Sequence, residues 1–112
     1  MWLVTEVGFF NIVCSDDDDI KGLLTVKARS KQDLVKLEDY IPFTLPIEES
    51  DRHDYRFRRK ALRRDVSAGI RQLVRGIDYP KTKPAISKLN PDRDDIYLAV
   101  WSDLYAIQER ET

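Results

Sequence analysis

The chain has 112 residues, 42% apolar and 35% charged, and its 19 basic side chains nearly cancel 20 acidic ones, leaving a formal charge of −1. This length fits one domain that buries about 60–70% of the surface its unfolded chain exposes, and near-neutrality excludes a global field driving it onto nucleic acid or an anionic membrane. The single cysteine, Cys14, excludes an internal disulfide framework; with no apolar run near about 18 residues and no basic leader, a cytoplasmic protein without a membrane span is expected.

Met1–Cys14 (MWLVTEVGFFNIVC) is rich in β-branched and aromatic residues and apolar on both faces, which predicts one central strand. Gly8 interrupts it and marks a bulge or a close approach by another backbone, with Phe9 and Phe10 as core aromatics rather than a ligand wall. Ser15–Gly22 (SDDDDIKG) is polar and Gly-ended, and reads as a solvated hairpin tip. Four carboxylates in a row raise calcium. Counted from Asp17, Asp19 and Gly22 fall at EF-hand positions, but Lys21 stands at a ligand position and Ala28 replaces the closing Glu, which excludes that loop.

Leu23–Arg29 (LLTVKAR) is the expected return strand, with Leu24, Val26 and Ala28 facing a core. Ser30 and Asp33 then resemble a capping box opening a helix to about Tyr40, with Leu34, Leu37 and Ile41 as its apolar stripe. Pro42–Asp54 is a loop, stiff at its start and acidic at Glu48, Glu49 and Asp51. His53, the only histidine, has no nucleophile beside it and reads as an exposed loop residue.

The stretch Arg52–Arg75 carries the strongest signal. Tyr55–Ala61 is expected as a strand running directly into a helix over Arg63–Ile77, and seven of the thirteen residues Arg52–Arg64 are Arg or Lys. Alternation buries the Tyr55/Phe57 face and presents Arg56, Arg58 and Lys60 on the other, about 7 Å apart. The helix has an apolar stripe of Val66, Ile70, Leu73, Val74 and Ile77, and Gly69 gives room for close packing. Asp78-Tyr79-Pro80 ends it, and Lys81–Leu89 predicts a short helix. Asn90-Pro91 starts a last helix whose acidic first turn suits the dipole and whose stripe is Tyr97, Val100, Trp101, Leu104 and Tyr105. Such a stripe is either core or the face for a partner helix or a second copy.

The chain resembles a family of small bacterial proteins of about this length. The likeness lies in Trp2, Thr5, Gly8, Phe9 and Phe10, in Leu24–Arg29, in Asp54–Arg58, in Ile77–Tyr79 and in Tyr97–Tyr105. That resemblance implies an architecture and no activity.

The expected fold is α+β: a three-stranded antiparallel sheet in the order 2-1-3, from a β-β-α-β-α-α chain, with helices packed on it as a truncated ferredoxin-like sandwich. A right-handed crossover places the third strand parallel to the second and beside the first, and cationic outer strands protect both edges. There is no CxxC, HExxH, GxGxxG or P-loop, so neither a catalytic constellation nor a cofactor or metal set is expected. Two functions follow. One is a non-enzymatic protein–protein interaction or regulatory module, with a protein partner or as a homodimer. The alternative is RNA or DNA binding through Arg56, Arg58, Arg59, Lys60, Arg63 and Arg64.

Overall fold

The computed structural model describes residues 1–77 and 91–111. The expected helix over 81–89, the stop at 78–80 and the cap at Asn90 lie outside them. The strands are β1 (Trp2–Thr5), β2 (Gly8–Val13), β3 (Leu23–Ala28), β4 (Glu48–Glu49) and β5 (Phe57–Leu62). The helices are α1 (Asp16–Lys21), α2 (Lys31–Lys36, continued by a 3-10 turn to Asp39), α3 (Arg63–Arg75) and α4 (Asp94–Arg110, entered through a 3-10 turn from Pro91).

All pairings are antiparallel, and the sheet runs β1-β2-β3-β5-β4. The α+β class with an antiparallel sheet is as expected; the strand number and order are not. Met1–Cys14 is a hairpin rather than one strand. Thr5 pairs with Gly8, leaving Glu6-Val7 as the turn, and Thr5 Oγ1 accepts the N–H groups of Val7 and Gly8, both at 3.2 Å. Gly8 has φ +153°, a conformation side chains disfavour, and a Cβ there would collide with the Asp33 carboxylate. The bulge signal therefore marks a reversal.

The second correction concerns the order. The basic strand β5 lies beside β3, antiparallel to it, with Val26 opposite Arg59 and Ala28 opposite Phe57. The handedness rule applies to parallel crossovers; here α2 and the loop carry the chain back so that β5 enters from the opposite end. The parallel placement required by the ferredoxin-like expectation does not occur, and the central strand is β3. The edges are β1 and the two-residue β4, so the cationic strands β3 and β5 are interior.

One face of the sheet is closed. Phe10, Ile12, Val26, Ala28 and Ala61 are buried there, under Leu34, Leu37 and Ile41 from the α2 segment and Val66 from α3. The predicted stripes of both helices supply this core. Gly69 does provide close approach, against the α2 segment: a Cβ would stand 2.5 Å from Ile41 Cγ1 and 2.8 Å from the Tyr40 carbonyl oxygen. Val74 and Ile77, at the end of the predicted stripe, overrun the core and are exposed.

The Asp run joins the antiparallel strands β2 and β3 with Asp16, Asp17 and Asp19 exposed, as expected of a solvated tip, but it forms the short helix α1 and buries Asp18. Ser15 caps α1 with a reciprocal box: Asp18 N–H donates to Ser15 Oγ at 3.1 Å, and Ser15 N–H donates to Asp18 Oδ2 at 3.3 Å. The acids stand in the first turn, where the helix dipole favours them. Ser30, by contrast, makes no side-chain cap bond, and the Asp33 carboxylate that would complete a box is turned to the Phe9 N–H and Arg93.

Candidate functional site

The basic strand–helix junction forms, but its charges are largely met within the chain. Lys60 Nζ donates to Asp18 Oδ1 at 2.6 Å, and Thr25 Oγ1 donates to Asp18 Oδ2 at 2.7 Å. Asp18 is buried beneath α1 on the second face of the sheet. Burial opposes its charge, yet the hydrogen bonds from Lys60, Thr25 and the Ser15 N–H outweigh that and hold its carboxyl at about 2. The same bond to Asp18 raises Lys60 against the pull of desolvation.

Arg59 Nη1 meets Glu38 Oε1 at 2.5 Å, its Nε donates to the Leu45 carbonyl at 2.7 Å, and its guanidinium lies 4.6 Å from the Phe43 ring centre. Arg56 Nε stands 2.8 Å from Glu49 Oε1 and 3.2 Å from Asp51 Oδ1, so the acidic loop folds onto it. Arg63 reaches Asp19 at 3.5 Å, and Arg64, largely exposed, has Asp65 at 3.9 Å. Arg58 is half-buried, opposite Lys27 in β3 and Glu48 in β4. Sequence alternation put Arg56, Arg58 and Lys60 in one row; the fold gives them different neighbours, with Arg56 on the acidic loop and Lys60 on α1. His53 is exposed. Among the described residues, no group of His, Cys, Asp or Glu side chains is arranged to hold a metal ion.

The apolar exposure lies elsewhere. α4 contains no buried residue, and Ile96, Leu98, Val100, Trp101, Leu104, Tyr105 and Ile107 are all exposed, Trp101 at 65%. On the open face of the sheet, Trp2 is 71% exposed and Val4 is exposed beside it. Between that hairpin face and α4 runs a groove of about 520 Å³, lined by Trp2, Val4 and Phe9 on one side and by Ile96, Tyr97, Val100 and Leu104 on the other. An aromatic row leads inward from the groove: Trp2 meets Phe9 edge-on at 6.2 Å, Phe9 meets the buried Tyr55 at 6.3 Å, and Arg29 lies over the Tyr55 ring at 4.3 Å.

The helix is held at its first turn. Arg93 grips Asp33 with two bonds, Nη1 to Oδ2 at 2.7 Å and Nη2 to Oδ1 at 2.8 Å. Asp33 Oδ2 also accepts the Phe9 N–H at 3.2 Å, and Arg93 Nη1 donates to the Tyr97 hydroxyl oxygen at 3.3 Å. The bond to Asp33 raises the Arg93 pKa despite burial, so Arg93 remains a cation. This clamp ties hairpin, α2 and α4 together at one end of α4. The aromatic stripe was visible in the sequence, but the clamp was not: its partners are 60 residues apart. The overall dimensions agree with a projecting helix. The radius of gyration is 15.1 Å, against about 13 Å for a compact domain of this length.

Comparison of the chain with protein-family models, curated proteins and solved structures returns no match. Among the described residues no helix is long and apolar enough to cross a membrane.

Proposed function

We propose that this chain is a non-enzymatic protein–protein interaction module of the bacterial cytoplasm, docking through the face formed by α4 and the open side of the β1–β2 hairpin. One observation carries this reading: α4 exposes seven large apolar side chains while anchored to the domain by a partly buried ion pair. A helix apolar over so wide an arc is stable in water when something covers it. Its exposed apolar surface is rimmed by Asp95, Asp103 and Arg110, as interface cores are rimmed by polar groups. The resemblance to small bacterial proteins, which carries no activity, accords with such a module.

The nucleic-acid reading has weaker support. Phosphate binding draws on cations free to displace counterions, and Arg56, Arg59 and Lys60 already hold carboxylates at 3.2 Å or less. A photoreactive residue incorporated in cells at position 98, or at position 64 as the comparison, separates the two. Discrete protein adducts from position 98 are expected. Adducts to nucleic acid from position 64, with none to protein from position 98, would overturn the reading.

A further inference from the structure

Beyond that reading and independently of it, we infer that the groove between the β1–β2 hairpin and α4 is a binding site for a small amphipathic carboxylate. Its apolar body lies between the two walls and its carboxylate meets Arg29 and the Ser30 hydroxyl. Three observations carry this assignment: the size of the groove, the division of its lining, and a cation left without a counter-charge.

The groove has a volume of about 520 Å³, within the roughly 300–1,000 Å³ of sites that take small molecules. One turn of a helix with its side chains fills about 500 Å³, so the space holds no more than a single turn of a protein partner. The outer stripe of α4, with Leu98, Trp101 and Tyr105, does not line the groove and stays open to protein docking.

The lining is divided. Trp2, Val4 and Phe9 form one wall, and Ile96, Val100 and Leu104 form the other along about 12 Å of α4. Trp2, Val4 and all three α4 residues are exposed, so an apolar body placed between the walls removes their surface from water. The polar lining gathers around Phe9. Asp33 accepts the Phe9 N–H and is joined through the clamp to Arg93 and Tyr97. Ser30 stands three residues before Asp33 at the start of α2, and Arg29 lies over the Tyr55 ring that meets Phe9. An apolar trough with a polar end suits a molecule built the same way.

Charge selects the head group. The polar end sets Arg29 and Arg93 against Asp33 alone, which leaves one net positive charge. Asp33 is fully engaged by Arg93 and the Phe9 N–H. Arg29, by contrast, is held by uncharged partners: its Nη1 donates to the Asp54 carbonyl oxygen at 2.7 Å, and its guanidinium lies 4.3 Å from the Tyr55 ring centre. Among the described residues it has no carboxylate partner, so its charge and its remaining N–H groups are open to a ligand. Ser30, which makes no cap bond, lines the same groove with its hydroxyl unspent. A carboxylate brings one negative charge and a planar pair of acceptors that matches a guanidinium fork. A phosphate monoester brings close to a second charge, which nothing at this end balances.

The test is titration of the full chain with octanoate, octanol and octyltrimethylammonium, which share a chain and differ in head group. Binding is followed by calorimetry and, in a Trp101→Phe background, by the emission of Trp2. Octanoate is expected to bind with a Kd below about 1 mM, to shift Trp2 emission to the blue, and to bind more tightly than either of the others. Arg29→Met should weaken octanoate at least about ten-fold, as loss of a charged hydrogen bond does, while octanol binding and the circular dichroism spectrum stay unchanged. Leu104→Glu, on the groove wall, should weaken octanoate and octanol alike, and Leu98→Glu, on the outer stripe, should weaken neither. Both side chains are exposed, so folding does not depend on them. No binding of octanoate at about 1 mM overturns the proposal. So does binding indifferent to head group and to Arg29→Met. Binding lost in Leu98→Glu and kept in Leu104→Glu overturns its placement in the groove. None of these results decides protein docking, which crosslinking from position 98 tests separately.

Discussion

α3 and α4 are the two longest helices of the described chain, and they solve opposite problems. α3 carries a narrow apolar stripe. Val66 is fully buried, Gly69 lies tight against Ile41, and Ile70 and Leu73 pack at the margin of the core. Arginines and other polar residues hold its outer side. α4 is apolar over a much wider arc, buries none of its residues, and is anchored through Arg93 at its start. Burial of a stripe fixes the first helix. A charged clamp positions the second and leaves its surface available. A helix can thus be well placed in a fold and still keep its hydrophobic face for another molecule.

The contrast is broken most severely from the closed side. Phe10 is fully buried between the sheet and its helices; Phe10→Ala should lower the stability in urea by about 3–5 kcal/mol, from lost burial plus the cavity left behind. The apolar face of α4 should contribute nothing comparable in a single chain.

Next in size is the clamp. Asp33→Asn leaves Arg93, mostly buried, without its carboxylate, which should cost about 3 kcal/mol. The effect should be uneven: amide exchange in α4 rises strongly while β2, β3 and β5 keep their protection. A uniform loss across the chain would mean that α4 is integral to the core rather than hung from it.

The third prediction concerns acid. The Asp18 carboxyl is held at about 2 against an unperturbed 3.8. A depressed pKa stabilises the fold above the unfolded value and ceases to do so as pH falls through the folded one. About 2 kcal/mol should therefore disappear between about pH 5 and about pH 2. Lys60→Met removes the largest of the stabilising hydrogen bonds to that carboxylate and should flatten the loss, seen as urea midpoints across that window.

How much of this was legible in the sequence depends on range. Local signals were sound apart from bounds: the strand expected over Tyr55–Ala61 forms over Phe57–Leu62 and continues straight into a helix, Leu34, Leu37 and Ile41 form a buried stripe, and Gly69 permits close approach. Where one local pattern admitted two outcomes, tertiary context decided. Gly8 signalled an irregularity but not its degree, and the side chain of Thr5 turned it into a reversal. Ser15 and Ser30 both preceded an acid by three residues, yet only Ser15 caps, and the Asp33 carboxylate serves Arg93 and the Phe9 N–H instead of a capping box. The basic cluster could be read as a run but not as a set of ion pairs, since Glu38, Glu49 and Asp18 come from three separate elements. The aromatic stripe of α4 was read correctly as a stripe. Whether it was core or partner face is a matter of what lies opposite, which periodicity cannot report.

The central claim is that α3 closes the core and α4 awaits a partner, and hydrogen exchange resolved along the chain tests it most directly. Amides around Val66–Ile70 should exchange only through global opening, whereas those around Val100–Tyr105 should exchange orders of magnitude faster in the isolated chain. Protection of α4 equal to that of α3 in the isolated chain would contradict the account.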